Sequence, residues 1–294
     1  MKITLLGSLG HINSYVIPEL VKQGHDVTVV SHSDKRSVEI KALGAKPAIG
    51  SMDDVDFLTE TFTGADEVYL MISGNTGRDS DPVESARQQA EIFKTAIQNS
   101  GVKKVVDLSS VGADQGPEVG GLYVYHVIEN VLKTLPDVIY TFVRPTGFYP
   151  NLLSKIPLLK SEHIIVESRG ADVESYWVDP SDIAQVVLKA LLTSGDQNRV
   201  MYATSDRVTG EELVKYIADE IDMPDLKWVQ VSDKQMENDL LKVMPAPLAK
   251  SFATMYAQER TPEFYADLHK QNPELGKVKM GDFMKTFGAA YRAK

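Results

Sequence analysis

The chain has 294 residues, 43% apolar and 24% charged, a composition that excludes disorder and small disulfide-held scaffolds. Cysteine is absent and the six histidines, at 11, 25, 32, 126, 163 and 269, form no close ligand pair, which excludes thiolate chemistry and gives no metal site. Lys plus Arg number 31 against 41 Asp plus Glu; the net charge of −10 repels nucleic acid, and no apolar run reaches the roughly 18 to 20 residues of a bilayer span.

In chain order, short apolar runs alternate with amphipathic stretches through the first 150 residues. Runs at Ile3–Leu6, Val27–Val30, Val68–Ile72, Val102–Leu108 and Val138–Val143 read as buried parallel strands, with a weaker one at Lys46–Gly50. Helices are expected near 11–23, 35–43, 54–62, 82–99 and 121–134. Beyond Pro150 a strand is expected at His163–Glu167, a helix at Pro180–Leu192 and a strand at Arg199–Ala203, and the last 85 residues read mainly as helices. One begins after Thr209 and ends at Ile221, where Thr209-Gly210-Glu211-Glu212 has the spacing of a capping box. Others are expected near 232–243, 246–258, 263–270 and 280–291, and this long helical end carries Met223, Met236, Met244, Met255, Met280 and Met284 as core or as adaptable contact surface.

This order predicts an α/β chain: a doubly wound parallel Rossmann sheet with a smaller, mainly helical C-terminal domain for substrate or partner. Residues 1–150 form the nucleotide-fold core. Residues 151–294 complete it and build the helical part.

Gly7-Ser8-Leu9-Gly10-His11-Ile12-Asn13 follows the first strand directly and opens an amphipathic helix. A dinucleotide pyrophosphate needs backbone N–H groups at a helix start with no Cβ in the way, and Gly7 and Gly10 supply that clearance. Asn13 stands where a third glycine is usual, either to cap the helix or to touch phosphate. The second strand ends Ser31-His32-Ser33-Asp34-Lys35-Arg36, which offers donors and a guanidinium suited to a 2′-phosphate, so NADP is favoured over NAD. Asp34 would select NAD if the strand ran further. Asp53, after the third strand, accepts from an adenine amino group or caps the next helix. Ile72-Ser73-Gly74 and Leu108-Ser109-Ser110 close the fourth and fifth strands, at the edge where ligands sit in such sheets.

Several segments together resemble the NmrA-like branch of the atypical short-chain dehydrogenase/reductase superfamily. They are the Gly7–Asn13 turn, Leu108-Ser109-Ser110, His126 with Glu129, the run Arg144-Pro145-Thr146-Gly147-Phe148-Tyr149-Pro150-Asn151-Leu152, and Trp177-Val178-Asp179-Pro180-Ser181-Asp182-Ile183-Ala184. The resemblance implies NADP or NAD binding, with either reduction of quinones and similar carbonyl compounds or redox sensing without turnover. It also implies that Pro145, Thr146, Gly147 and Phe148 pass beside the nicotinamide and that His126, or Tyr125 after a one-residue slip, lies near its ribose. By the same resemblance Asp179 and Asp182 look functional, although their place at a helix start suits a structural, capping role.

Hydride transfer to a carbonyl needs a donor for the developing alkoxide, and the best-known members of that superfamily place Tyr and Lys one helical turn apart. Here Tyr123 is followed four residues on by Val127 and Tyr125 by Glu129, a charge that would raise a phenol's pKa, while Lys133 lies about 12 Å further along the helix axis. An activated acceptor such as a quinone needs only a hydrogen-bond donor, for which His126, Tyr123 and Tyr125 are the candidates, with Phe148, Tyr149 and Trp177 as pocket walls. The expected protein is a cytoplasmic monomer or homodimer that binds NADP and a small-molecule substrate, and neither nucleic acid nor membrane. Its competing reading is a non-catalytic NADP(H)-responsive regulator, and an epimerase- or dehydratase-like activity remains open on the same fold.

Overall fold

The computed structural model describes residues 1–72, 81–193 and 195–293. Strands β1 (Lys2–Leu5), β2 (Asp26–Ser31), β3 (Lys46–Ile49), β4 (Glu67–Leu70), β5 (Lys104–Leu108) and β6 (Ile139–Pro145) pair parallel. Four shorter or later strands follow as β7 (Gly147–Phe148), β8 (Ile164–Glu167), β9 (Glu174–Val178) and β10 (Arg199–Ala203), and then β11 (Asp206–Thr209) and β12 (Lys227–Gln230). The main sheet has the order β10-β6-β5-β4-β1-β2-β3, so the order turns back between β1 and β4. That is the doubly wound arrangement expected from the alternation of runs.

The crossover helices are α1 (Asn13–Lys22), α2 (Ser37–Ala42), α3 (Val55–Phe62), α4 (Pro82–Ser100) and α5 (Tyr123–Leu132). Helix α4 shows how local sequence sets its ends. Asp81 accepts from the Val83 amide at 2.9 Å, Pro82 occupies the first turn where its missing N–H costs nothing, and Gly101 closes the helix at φ 76°. Its buried Ala86, Ala90, Phe93 and Ile97 recur at helical spacing and pack with Val68, Leu70, Val105, Phe142, and Ile128 and Leu132 of α5, into one core.

The later helices are α6 (Ile156–Glu162), α7 (Pro180–Leu192), α8 (Gly210–Ile221), α9 (Asp233–Leu240), α10 (Ala246–Glu259), α11 (Ala266–Gln271) and α12 (Met280–Arg292). The capping box expected at α8 is present: the Glu212 amide donates to Thr209 Oγ1 at 3.1 Å and the Thr209 amide to Glu212 Oε2 at 2.8 Å. None of the helices among the described residues is long and apolar enough to cross a membrane.

The chain divides into two compact units. The first comprises Met1–Ala113, Val124–Arg144 and Ile183–Tyr202; the second comprises Asp114–Tyr123, Pro145–Asp182 and Ala203–Lys294. The second unit holds a three-stranded sheet, β11-β9-β7, and the parallel pair β12-β8. Its core gathers Tyr149, Leu152, Trp177, Leu213, Ile217, Met223, Met280, Phe283, Met284 and Phe287, so Met223, Met280 and Met284 are core residues. Strands β7, β9, β11 and β12, the 3₁₀ turn Tyr149–Lys155 and helix α6 have no counterpart in the reading of the sequence. The strands are two to five residues long, β9 is buried at four of its five positions and so does not alternate, and Pro150 and Pro157 stand in first turns where proline is tolerated.

A single carboxylate ties β5, α5 and β6 together in the first unit. Glu129 of α5 has no exposed surface. It accepts from Arg144 Nε at 2.9 Å, Arg144 Nη2 at 2.8 Å, Ser109 Oγ at 2.6 Å and Lys133 Nζ at 3.0 Å. The Arg144 guanidinium, 4% exposed, also donates to the Tyr202 hydroxyl of β10 at 3.2 Å. At the opposite, N-terminal ends of the strands, Glu67 Oε2 is buried with no partner among the described residues while Lys104 Nζ stands 3.6 Å from Oε1. It lines a recess of about 20 Å³, room for one water, together with Thr141 and Arg199.

Two outcomes follow from these buried charges. Glu129→Gln strands the Arg144 guanidinium and should cost about 3 to 5 kcal/mol in urea unfolding, whereas Lys133→Met, at the half-exposed end of the network, should cost at most about 1 kcal/mol. Burial pushes the Glu67 carboxyl up from 4.5 to about 7 against the pull of Lys104. The folded chain therefore keeps a proton that the unfolded chain releases, and stability should fall by up to about 3 kcal/mol as pH rises between those two values. Glu67→Gln should flatten that slope, measured by unfolding at about pH 5 and about pH 8.

Candidate functional site

Of the residues picked out from the sequence, those of the glycine turn, Ser31 to Ser33, Ile72, Ser109 and Ser110 follow the C-terminal ends of the parallel strands in the first unit, where β1 and β4 flank the point at which strand order turns back. Gly7 has φ +93° and Ser8 has φ +51°, so the chain leaves β1 through two left-handed residues. A Cβ on Gly10 would stand 3.1 Å from the Gly7 carbonyl, and Gly10 donates its own amide to that oxygen at 3.1 Å. No side chain caps α1, whose N-cap position is Ile12. The Ser14 and Tyr15 amides turn to the Gly10 and Ile12 carbonyls, both at 3.0 Å, while those of His11, Ile12 and Asn13 have no acceptor among the described residues and are left to water or a ligand. His11 is exposed and Ile12 buried.

Asn13 does not cap α1, whose N-cap position is Ile12. It is 3% exposed, and its Nδ2 donates to the Leu6 carbonyl at 2.7 Å and the Ser8 carbonyl at 2.9 Å, bracing the glycine turn from inside. Its Oδ1 is buried without a partner among the described residues.

At the end of β2, Ser31 and Ser8 share a hydroxyl hydrogen bond at 3.0 Å, and the Ser33 amide reaches Ser31 Oγ at 3.3 Å. The strand stops at Ser31. His32 is exposed and Ser33 half-buried, and Asp34 opens a 3₁₀ turn in which its carboxylate accepts from Ser37 Oγ at 2.9 Å, so Asp34 is not at the strand end. Arg36 is exposed and pairs with Glu39 at 2.9 Å. Asp53 is exposed and accepts from Ser51 Oγ at 3.2 Å; the helix cap considered for it belongs instead to Asp54, which accepts from the amides of Asp56 and Phe57. Ile72 is half-buried, and Ser73 and Gly74 lie outside the described residues.

The fifth strand delivers Ser109 and Ser110, 2% and 8% exposed, and the Ser109 hydroxyl is committed to Glu129. His126 is held at both ring nitrogens: Nδ1 is 3.1 Å from the Ala113 carbonyl and Nε2 is 2.7 Å from Asn130 Nδ2. A carbonyl only accepts and an amide nitrogen only donates, which assigns the hydrogen to Nδ1 and leaves Nε2 as acceptor. Tyr125 is raised in pKa by burial and then by Asp107; Glu129, expected to raise it, is ion-paired with Arg144 and Lys133. Asp107, 2% exposed in the middle of β5, is itself pushed far above the carboxylate range by burial and by Glu129. It was not singled out from sequence; a charged residue inside an otherwise apolar strand was the sign of it.

The remaining candidates belong to the second unit. Tyr123, half-buried, opens α5. Pro145 is buried, the Thr146 amide donates to the Ala203 carbonyl at 3.0 Å, and a Cβ on Gly147 would meet the Trp177 ring at 3.2 Å. Phe148 is half-buried, but two expected pocket walls are core instead. Tyr149 has no exposed surface and stacks on Phe283 at 5.3 Å, and the Trp177 indole donates to Ser175 Oγ at 2.8 Å. Asp179 has the capping role, accepting from the Ser181 amide at 2.8 Å. Asp182 does more: it accepts from Ser205 Oγ at 2.7 Å and from the amides of Lys277 and Val278 at 3.1 and 2.9 Å, pinning the segment that leads into α12.

The sequence model of the NmrA-like family matches residues 1–274. Over 262 residues the chain is 26% identical to a (4-alkanoyl-5-oxo-2,5-dihydrofuran-3-yl)methyl phosphate reductase of Streptomyces griseus subsp. griseus, covering 88% of this chain and 87% of that protein. It is 24% identical to an NAD(P)H azoreductase of Xenophilus azovorans over 99% of both chains. Its fold is that of an NADPH-dependent quinone oxidoreductase of Escherichia coli solved with NADPH, with a TM-score of 0.78 at 17% identity over 97% of this chain and 99% of that one. Doubly wound sheet, open glycine turn and whole-length match agree, and the chain belongs to the NmrA-like family.

Proposed function

We propose that this protein is an NADPH-dependent oxidoreductase that reduces quinones or related activated carbonyl compounds, with the dinucleotide diphosphate held at Gly7–Asn13. The observation that carries this reading is the uncapped start of α1 behind two left-handed residues and a glycine whose Cβ would crowd the Gly7 carbonyl at 3.1 Å, because such a turn leaves the amides of His11, Ile12 and Asn13 open to an anion. The relatives named as an NAD(P)H azoreductase and a furanone phosphate reductase support it.

The residues fit a coenzyme with a 2′-phosphate better than one with a free 2′-hydroxyl. Asp34 is engaged in its own 3₁₀ turn rather than placed at the strand end, and the Arg36–Glu39 pair is half-exposed on both sides. A pair of that kind is worth about 1 kcal/mol or less, so the guanidinium can exchange Glu39 for a 2′-phosphate. His32, Ser33 and Ser8 supply neighbouring donors.

The bound coenzyme supplies a hydride; the chain's own groups bind, orient and donate. His126 is fixed as the Nδ1–H tautomer and acts by orientation, since its single ring proton is turned to Ala113. Tyr125 stays a neutral phenol, a hydrogen-bond donor rather than a proton-abstracting phenolate. That inventory suits an acceptor already activated toward hydride, for which a hydrogen bond suffices, and the missing Tyr–Lys pair agrees with it. The same full engagement of His126 favours the second reading, a dinucleotide-responsive regulator without turnover.

Stopped or steady-state assays should show NADPH oxidation by 1,4-benzoquinone well above the uncatalysed rate. Tight NADPH binding with no turnover would leave only the regulator. Arg36→Ala should weaken NADPH binding about tenfold and leave NADH unchanged, as read by fluorescence titration. Equal loss for both coenzymes would remove Arg36 from the specificity argument.

A further inference from the structure

Within the second unit, the end of β8 and the loop after it carry Glu167, Ser168 and Arg169, which are 8, 3 and 5% exposed. Their backbone is pinned. The Ser168 carbonyl accepts from Arg260 Nη1 at 3.2 Å, and the Arg169 carbonyl accepts from the Trp228 indole at 3.0 Å. The Arg169 guanidinium lies over the Trp228 ring, 5.7 Å from its centroid.

What this guanidinium lacks is an acceptor. Arg169 Nε and Ser168 Oγ are both buried without a hydrogen-bond partner among the described residues, and none of the ion pairs among those residues includes Arg169. The nearby carboxylates do not supply the want. Glu167 is ion-paired with Lys155; burial alone would lift its carboxyl, but Lys155 and Arg169 outweigh that and hold it below the usual range. Glu259 of α10 feels the pull of Arg169, yet burial pushes it up to about 7, so it is only partly charged at neutral pH.

The contrast with Arg144 is direct. That buried guanidinium has a bidentate carboxylate and a phenol, whereas Arg169 has an aromatic face on one side and a donor pointing at nothing. Lys155 and Glu167 cancel and Glu259 is only partly charged, which leaves a positive excess. Burying such a charge without an acceptor is strongly unfavourable, and the group that would satisfy orphan donors on two consecutive residues, one of them charged, is an oxygen anion.

We propose that Ser168 and Arg169 form an oxyanion-binding site in the C-terminal unit that takes the carboxylate or phosphate group of a small organic molecule. The site is separate from the dinucleotide reading and does not rest on it. Trp228 beneath the guanidinium fixes its place from the other side.

The test is calorimetric titration of the full-length protein with benzoate and with inorganic phosphate at constant ionic strength, with tryptophan fluorescence as a second readout. At least one anion should bind saturably. Arg169→Met should weaken that binding at least tenfold, Arg169→Lys less because the charge survives without the fork, and Ser168→Ala severalfold. NADPH titration should be unchanged in all three variants, which separates this site from the glycine turn. Benzoate alone binding identifies a carboxylate site, and phosphate alone a phosphate site. Binding of neither anion at tens of millimolar, or equal binding in Arg169→Lys and Ser168→Ala, overturns the proposal even if Arg169→Met does not fold.

Discussion

The bidentate pair between Glu129 and Arg144 sits where a helix and two adjoining strands of the parallel sheet must be held in fixed relation. Neither side chain is more than 4% exposed, so neither can fall back on water if its partner is lost. Such a pair adds little over a well-packed apolar isostere, yet it is costly to break, and it therefore dictates residue identity more than it contributes net stability. Ser109 at the end of β5 is recruited into the same carboxylate, which sets the position of the strand end as well as the strand.

That network also governs the protons around it. Burial and then the neighbouring Glu129 push the Asp107 carboxyl well above its ordinary value, and burial and then Asp107 push up the Tyr125 phenol. Most polar side chains on this side of the first unit are spent on one another: Ser109 on Glu129, His126 on Ala113 and Asn130, Asn13 on the glycine turn. The groups left for a ligand are the backbone amides of His11, Ile12 and Asn13, the exposed His32 after β2, and Arg36 once it exchanges its exposed partner Glu39. A site built in that way binds an anionic cofactor well and offers little acid–base chemistry of its own, which matches a reaction in which the coenzyme carries the hard step.

The second unit uses its charges differently. Asp182 is fully occupied with three donors and fastens the segment before α12, a structural task for a residue whose motif looks functional in isolation. Arg169, equally buried, has no such closure. The two residues show that burial of a charge identifies nothing by itself; the count of partners distinguishes a fastened group from one that awaits a ligand.

The sequence by itself determined the winding of the sheet, the glycine turn, the ends of α4 and α8 and the family, because each depends on periodicity, caps or glycine at short range. Short strands such as β7 and β11 were hidden, since their stability comes from partners about 30 residues away rather than from any local pattern. The roles of Asn13, Asp53, Tyr149 and Trp177 were decided only in three dimensions. A side chain's type says what it can bond, but whether its polar atoms meet carbonyls, solvent or other rings depends on which distant segments pack against it.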